Sequence, residues 1–518
     1  MEINLTRLSE LSLYEVLNQT ASQYPEQLAI IDENIKLNYA DLKVAVDRFA
    51  SVLYKKGFQK GDRIGLMLPN GYHYIISYYA SQRLGGIVVQ VNPLYQKNEL
   101  EYMLSDSTPK WFVCESMQAE KIEKIDAFSN VNVIFTKNEI NQDNIYLLEG
   151  TIELPLLKIN PQEDLAVIQY TGGTTGTSKG VMLTHFNIVC NIHQSGSVFA
   201  SVLKKSEERI LGIAPLTHAM AMTNLNYTFL MAATYIVVEK FAVTKVLEKI
   251  KKYKPTMVLG SPTMYIALLN FPQLESDDLS SFKICLSGSA PLPVEVLKEL
   301  ERKTGAKIIE GYGLSEATTS THRTPPDGLR KIGSVGVPIP LTKSKIVDAE
   351  DGIKELPPGE NGELIIKGPQ IMKGYWNKPV ETEQVLKDGW LYTGDIAVCA
   401  EDGYYYIVGR KKDMVIAGGL NIYPAEVEEL LFQHPAAVEA CVFGVPDPYL
   451  GEKLLAIVIL KDGENLTEQD LLQWCKGKIA RYKIPRGIEF RDSLPKTIVG
   501  KVLRRKLVEE YKEKFPSL

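Results

Sequence analysis

The chain has 518 residues, 58 basic and 63 acidic side chains, and 45% hydrophobic residues. A formal charge of −5 offers no electrostatic footprint for nucleic acid, and this length exceeds one core, predicting about three domains. Cys114, Cys190, Cys285, Cys399, Cys441 and Cys475 are scattered without a C-x-x-C pair, which excludes a disulfide scaffold and reads as reduced core thiols.

No apolar run reaches the ~18 residues of a membrane span. The start MEINLTRLSE lacks the basic and apolar regions of a secretory leader, and the end FPSL is not a peroxisomal S-K-L signal. A cytoplasmic location is expected.

In chain order, Asn38 and Asp41 make a capping pair ahead of Leu42, Ala45, Val46, Phe49 and Leu53, which fall at helical spacing, with Gly57 as the stop. Residues 63–68 (RIGLML) read as a strand, 74–83 as a helix and 86–91 (GIVVQV) as a second strand. The alternation recurs at 256–259, 262–269, 284–287 and 294–304, as expected for parallel sheets covered by helices. From about Lys331 to Gly409 the pattern changes to short strands and Gly/Pro-rich turns (345–347, 362–367, 403–408), as in an antiparallel sheet or small barrel. After Arg410 a separate α+β unit begins, with a helix at 425–433, strands at 437–445 and 454–460, and a helix at 468–479. The predicted fold is therefore α/β. A large N-terminal domain (1–410) carries two helix-covered, mainly parallel sheets and a small β-barrel, and a small α+β C-terminal domain (411–518) follows.

The stretch 170–185, YTGGTTGTSKGVMLTH, follows the apolar strand run LAVIQY. Three glycines, four threonines, a serine and a lysine lie between Thr171 and Lys179. Glycines let backbone N–H groups converge on an anion, and hydroxyls and a lysine add donors and charge. The same composition also suits a polar turn between two strands. The P-loop requires Ser or Thr directly after its lysine, whereas Gly180 follows Lys179. Gly172, Gly173 and Gly176 do not have the dinucleotide-fold spacing G-x-G-x-x-G.

Four further segments follow in order: GYGLSE at 311–316, GWLYTGD at 389–395, GRKKDMVIAGGLNIYPAEVEE at 409–429 and PKTIVGKVLRR at 495–505. Together the five motifs resemble the adenylate-forming ligases, the superfamily of acyl-CoA synthetases, coumarate-CoA ligases, luciferases and peptide-synthetase adenylation domains. The resemblance runs over nearly the whole chain. Small departures are Ser315, where Thr often precedes the carboxylate, and Ser178, where Pro often precedes the lysine.

The resemblance implies ATP, Mg2+ and CoA as cosubstrates and cofactor, with a carboxylic acid as the group to be activated. A carboxylate is a poor electrophile, and joining it to the α-phosphate supplies AMP as a leaving group for thiol attack. Catalysis would then be mostly positioning and charge neutralisation. By the same resemblance, Thr171, Gly172, Thr174, Thr175, Gly176 and Lys179 would hold the outer phosphates. Thr171 and Glu316 would serve magnesium, which needs few protein oxygens. Tyr312, between Gly311 and Gly313 and followed by Ser315, would stack on adenine, with the turn Ser289, Ala290 and Pro291 on the base's other side. Asp395 and Arg410 would meet the ribose.

Lys501 would act at the carboxylate and α-phosphate, where negative charge gathers. Lys412 aligns with a hinge about which the C-terminal domain rotates, and Gly418, Gly419 and Leu420 would then line a tunnel for CoA. His218, Gly288 and Gly313 would border the acyl pocket, among residues near 213–231, 260–268 and 286–316. Small and flexible side chains dominate there, and no buried Arg or Lys is expected to meet a second charge. With VNPLY at 91–95, typical of relatives acting on fatty acids, this favours a medium- or long-chain fatty acid. The alternatives are an aryl-acid CoA ligase of coumarate or benzoate type, or a stand-alone enzyme loading a carrier protein. Monomer or homodimer, and peripheral contact with a bilayer holding a greasy substrate, are left open.

Overall fold

The computed structural model describes residues 3–136, 154–171, 178–272, 274, 279–288, 292–461, 463–497 and 502–514. Gly172, Thr174, Thr175, Gly176, Ser289, Ala290, Pro291 and Lys501 lie outside them.

Local signals read from the sequence set the elements. Asn38 accepts from the Asp41 N–H at 2.7 Å and opens helix Tyr39–Lys55, whose Leu42, Ala45, Val46, Phe49 and Leu53 are all buried. Such a cap satisfies N–H groups that the first turn leaves without partners, worth about 1 kcal/mol. Helix Pro262–Leu269 begins on its proline, which has no N–H to lose there.

A nine-stranded sheet holds six parallel strands in the order Lys307–Tyr312, Ile284–Ser287, Met257–Gly260, Arg209–Gly212, Thr234–Val237 and Leu28–Asp32. Antiparallel strands flank them at both edges. A seven-stranded sheet holds five parallel strands in the order Leu165–Thr171, Ile87–Gln90, Arg63–Met67, Trp111–Glu115 and Asn132–Thr136. Apart from the edge strand Asn132–Thr136, these strands are buried on both faces, hence their continuous apolar runs. Helices Leu13–Gln23, Tyr39–Lys55, Tyr72–Arg83, His185–Phe199 and Ala219–Leu230 contribute to the large core that spans both sheets. Two of its buried tyrosines pair their hydroxyls across elements: Tyr39 donates to the Ala233 carbonyl at 2.6 Å and Tyr79 to Asn226 at 2.7 Å. Left unpaired, each would incur a desolvation cost of about 1–3 kcal/mol.

Strands Lys343–Val347, Asn361–Lys367, Leu386–Lys387, Trp390–Cys399 and Tyr405–Arg410 form an antiparallel sheet that stays open, half of a barrel. A fourth sheet, Leu420–Ile422, Val415–Ala417, Gly451–Leu460, Ala437–Asp447 and Gly487–Phe490, buries its own core. Val427, Leu431, Val442, Val458 and Leu471 are among its members. Among the described residues, no helix is long and apolar enough to cross a membrane.

Candidate active site

A cavity of about 1180 Å³ opens where the carboxyl ends of parallel strands from both large sheets converge. Gln90, Gln169, Tyr170, Thr171, Leu259, Ser287, Gly311 and Tyr312 line it, each at such a strand end. Ligands sit at this edge of open α/β sheets because side chains and free N–H groups project from it. The open sheet adds Glu363, Thr393, Gly394 and Arg410, and the C-terminal region adds Lys496 and Thr497.

Asp395 and Arg410 are cross-strand partners in the open sheet, and Arg410 Nε lies 2.7 Å from Asp395 Oδ1. The carboxylate side chain is only 4% exposed, and its other oxygen accepts from the Tyr312 hydroxyl. Burial and the neighbouring Asp395 charge hold the Tyr312 hydroxyl protonated, far above its ordinary range. Burial opposes the Arg410 charge, but Asp395, Tyr312, Glu316 and Asp413 outweigh it and raise the pKa. A buried carboxylate so held is a fixed acceptor, suited to a vicinal diol. The residues expected at the base and ribose are thus joined in one network.

The Gly/Thr-rich segment connects an antiparallel pair, with Thr171 opposite Lys179. This explains its failure to match a P-loop, which passes from strand to helix. Tyr102 donates to the Ser178 carbonyl at 2.7 Å, and Tyr170 to Asp106 at 2.6 Å, so side chains pin both ends of the connection. Lys179 Nζ sits 4.9 Å from the centroid of the Tyr375 ring. The Tyr375 hydroxyl donates to Glu316 Oε1 at 2.9 Å. Burial and the Glu316 charge keep that hydroxyl protonated.

Glu316 lies in the short 3-10 turn Ser315–Ala317, and Thr318 after it adopts φ +62°, uncommon for a β-branched residue. The Thr318 hydroxyl donates to the Gln370 carbonyl at 2.8 Å, which helps hold this strained backbone. Gly313 is required by close approach: a Cβ there would lie 1.4 Å from the Thr319 carbonyl oxygen. Among the described residues no cluster of three or more His, Cys, Asp or Glu could by itself hold a metal. Glu316, with one carboxylate facing the cavity, fits a cation carried mainly by phosphates and water.

Where the acyl group is expected, His218 lines the cavity and caps helix Ala219–Leu230, its Nδ1 accepting from the Met220 N–H at 3.3 Å. A Cβ on Gly288 would meet Met220 Sδ at 3.2 Å. The structure corrects one expectation here. Arg323, seven residues beyond the last segment considered, brings a guanidinium to this pocket, and burial lowers its pKa to about 10. Strand pairing folds it back onto Gly311, which linear proximity does not reveal.

Lys412 lines the cavity within the turn Lys411–Asp413. Lys411 Nζ lies 2.8 Å from Glu363 in the open sheet, and Asp413 lies 2.7 Å from Arg504 in the C-terminal region. Gly418 and Gly419 have φ of +61° and +78° and turn the hairpin between Val415–Ala417 and Leu420–Ile422. Neither they nor Leu420 line the cavity in this arrangement. Sequence reasoning missed Tyr375, Glu363, Gln90, Gln169 and Arg323. Gln90 is the one polar residue of its strand, and Gln169 interrupts the apolar run that begins at Leu165, a signal that could have found them.

Residues 17–376 match the family model for AMP-binding enzymes, and residues 426–501 match that for the AMP-binding enzyme C-terminal domain. The chain belongs to the AMP-binding enzyme family. It is 44% identical to a long-chain-fatty-acid–CoA ligase of Bacillus subtilis, over 97% of this chain and 95% of the relative. It is 36% identical to the Escherichia coli O6:H1 enzyme of the same name, over 100% and 97% respectively. ATP-bound MatB from Rhodopseudomonas palustris superposes with a TM-score of 0.90 at 32% identity, over 98% of this chain and 100% of that one.

Proposed function

We propose that the protein is an ATP-dependent, AMP-forming fatty-acid–CoA ligase of the cytoplasm. The observation that carries this reading is one cavity lined by Arg410, which is ion-paired to the buried acceptor Asp395, by Glu316, whose carboxylate is braced by Tyr375, and by Lys496 and Thr497 in the segment leading to Lys501. The names of the relatives support the acid class, and six free cysteines fit a reducing compartment.

In the first half-reaction a carboxylate oxygen attacks the α-phosphorus of ATP and pyrophosphate leaves. Asp395 accepts from the ribose hydroxyls, with Arg410 beside it, and Tyr312 stacks on adenine. Thr171 and Lys179 take the outer phosphates with Gly172, Thr174, Thr175 and Gly176, and Ser289, Ala290 and Pro291 border the base. Glu316 would hold Mg2+, with Thr171 assisting, and bound magnesium neutralises phosphate charge. Lys501 neutralises charge where the new bond forms. In the second half-reaction the CoA thiol attacks the acyl carbon and AMP leaves.

The chain divides near Arg410 into an adenylation domain and a C-terminal domain. Lys412 is the pivot between them, flanked by Lys411 tied to one domain and Asp413 tied to the other. Rotation there would bring Gly418, Gly419 and Leu420 to the site for CoA.

The test is pyrophosphate release from Mg-ATP with acetate, octanoate, palmitate, benzoate or coumarate, with and without CoA. Release with octanoate or palmitate, matched by thiol loss, is expected. Release without thiol loss would favour carrier-protein loading, and release with the aryl acids alone would overturn the fatty-acid assignment.

A further inference from the structure

Strand Trp390–Cys399 leaves the regular ladder at the point where it presents Asp395. Glu363 pairs with Ile396 and Ile365 with Tyr392, so residues 393–395 lie opposite the single residue Leu364. Such a bulge re-aims a side chain beside a site. Here its backbone is held at each step. Gly394 takes φ +69°, the Thr393 hydroxyl donates to the Leu364 carbonyl at 2.7 Å, and the same oxygen accepts the Asp395 N–H at 3.1 Å. The Gly394 N–H donates to Glu363 Oε1 at 3.1 Å.

The other oxygen of that carboxylate meets the hinge. Lys411 Nζ lies 2.8 Å from Glu363 Oε2, and the Glu363 side chain is 6% exposed against 43% for Lys411. Arg410, one residue earlier, is held by Asp395 across the ladder. Two carboxylates at one bulge thus grip two successive cations immediately ahead of Lys412. On the far side of Lys412, Asp413 lies 2.7 Å from Arg504, whose Nη2 is 2.7 Å from Glu428. Lys412 therefore stands between two anchored neighbours. Fixing the backbone of one residue narrows its conformations by roughly a factor of ten.

We propose that Glu363 is a positioning residue with two duties: through Gly394 it sets the aim of Asp395 at the ribose, and through Lys411 it fixes the stationary end of the hinge. The proposal rests on the acyl-CoA ligase reading and on rotation at Lys412. A buried carboxylate shared by a backbone N–H and an ammonium is rigid, because moving it would strip both partners where water is scarce. The arrangement described has supports besides the hinge. A Cβ on Gly409 would lie 3.6 Å from the Tyr423 side chain, and Lys496 and Thr497 reach the cavity. Rotation gives those supports up, so delivery of the C-terminal domain for thioester formation depends on the hinge itself.

The experiment measures the half-reactions separately in the full-length enzyme: pyrophosphate release from Mg-ATP with octanoate or palmitate, and thioester formation from supplied acyl-adenylate and CoA. Glu363→Gln keeps an oxygen for the Gly394 N–H but offers Lys411 no anion. Its KM for ATP should stay near the wild-type value, while thioester formation slows about tenfold. Glu363→Ala removes both bonds, so KM for ATP should also rise about tenfold or more. Adding Lys411→Met to Glu363→Gln should slow thioester formation no further, because the pair is already broken. Lys411→Met alone, with slowed thioester formation at an unchanged KM for ATP, serves if Glu363→Ala does not fold. Both half-reactions reduced in equal proportion, or a KM for ATP raised as much by Glu363→Gln as by Glu363→Ala, would overturn the proposal while leaving the ligase reading intact. A wild-type enzyme that releases no pyrophosphate would overturn both.

Discussion

The Tyr375 hydroxyl donates to Glu316 Oε1 at 2.9 Å, while the face of the same ring carries Lys179 Nζ at 4.9 Å. One aromatic residue, 59 positions from Glu316, thereby links the expected magnesium carboxylate to the lysine after the Gly/Thr-rich segment. Tyr375→Phe keeps the ring and removes the bond. A hydrogen bond to a charged group contributes about 1.5–3 kcal/mol. The magnesium concentration for half-maximal pyrophosphate release should therefore rise roughly tenfold or more. An unchanged magnesium dependence would remove Tyr375 from the phosphate site.

Asp395→Asn leaves Arg410 half-buried without its anion, which is destabilising by a few kcal/mol. A lowered Tm and loss of adenylate formation are both expected. The double variant Asp395→Asn/Arg410→Gln separates the two effects: it should regain part of the Tm but none of the activity. Recovered activity in the double variant would reduce the pair to a structural tie.

Lys501→Ala should slow adenylate formation at least a hundredfold, the scale seen when one stabilising donor is lost from a transition state. Conversion of supplied acyl-adenylate and CoA to thioester should persist. Equal loss of both half-reactions, measured separately, would sink the assignment.

At Gly313 even one methyl collides with backbone, which cannot move aside as a side-chain end can. Gly313→Ala should cost about 3 kcal/mol or more through displacement of the turn that presents Glu316. Thermal melting with and without ATP checks this, and a variant of wild-type stability and ATP response would contradict the geometry.

Burial raises the Glu310 carboxyl from 4.5 to about 7, against a backbone donor from Leu292 that lowers it. The folded state then holds the proton more tightly than the unfolded chain. Its stabilising contribution is complete below pH ~4.5, declines as pH rises towards 7 and is gone above it. The span amounts to at most about 3 kcal/mol. Glu310→Gln should gain Tm relative to the wild type between pH 5 and pH 8, and a constant difference across that range would refute the shift.

Much of the fold was readable in the chain because its signals are local. The Asn38–Asp41 cap, the proline at position 262 and the apolar runs of the parallel strands act within a few residues of themselves. The helix expected over 468–479 ends at Cys475, where a turn at Gly477 with φ +76° interrupts it. Gly418 and Gly419 satisfy a hairpin's backbone demand, so their presence alone does not distinguish a turn from a tunnel wall.

By itself the sequence determined the order of the motifs, the alternation of strands and helices, and the residue types expected at phosphate, ribose and metal. These depend on short-range spacing and chemical identity, which a linear chain carries. Tertiary structure alone decided that Asp395 would meet both Arg410 and Tyr312, that Tyr375 would brace Glu316, and that Arg323 would fold back opposite Gly311 at the cavity wall. Those contacts depend on strand register and on which sheet edges converge. Register is set by burial summed over whole strands, so no single residue announces its partner.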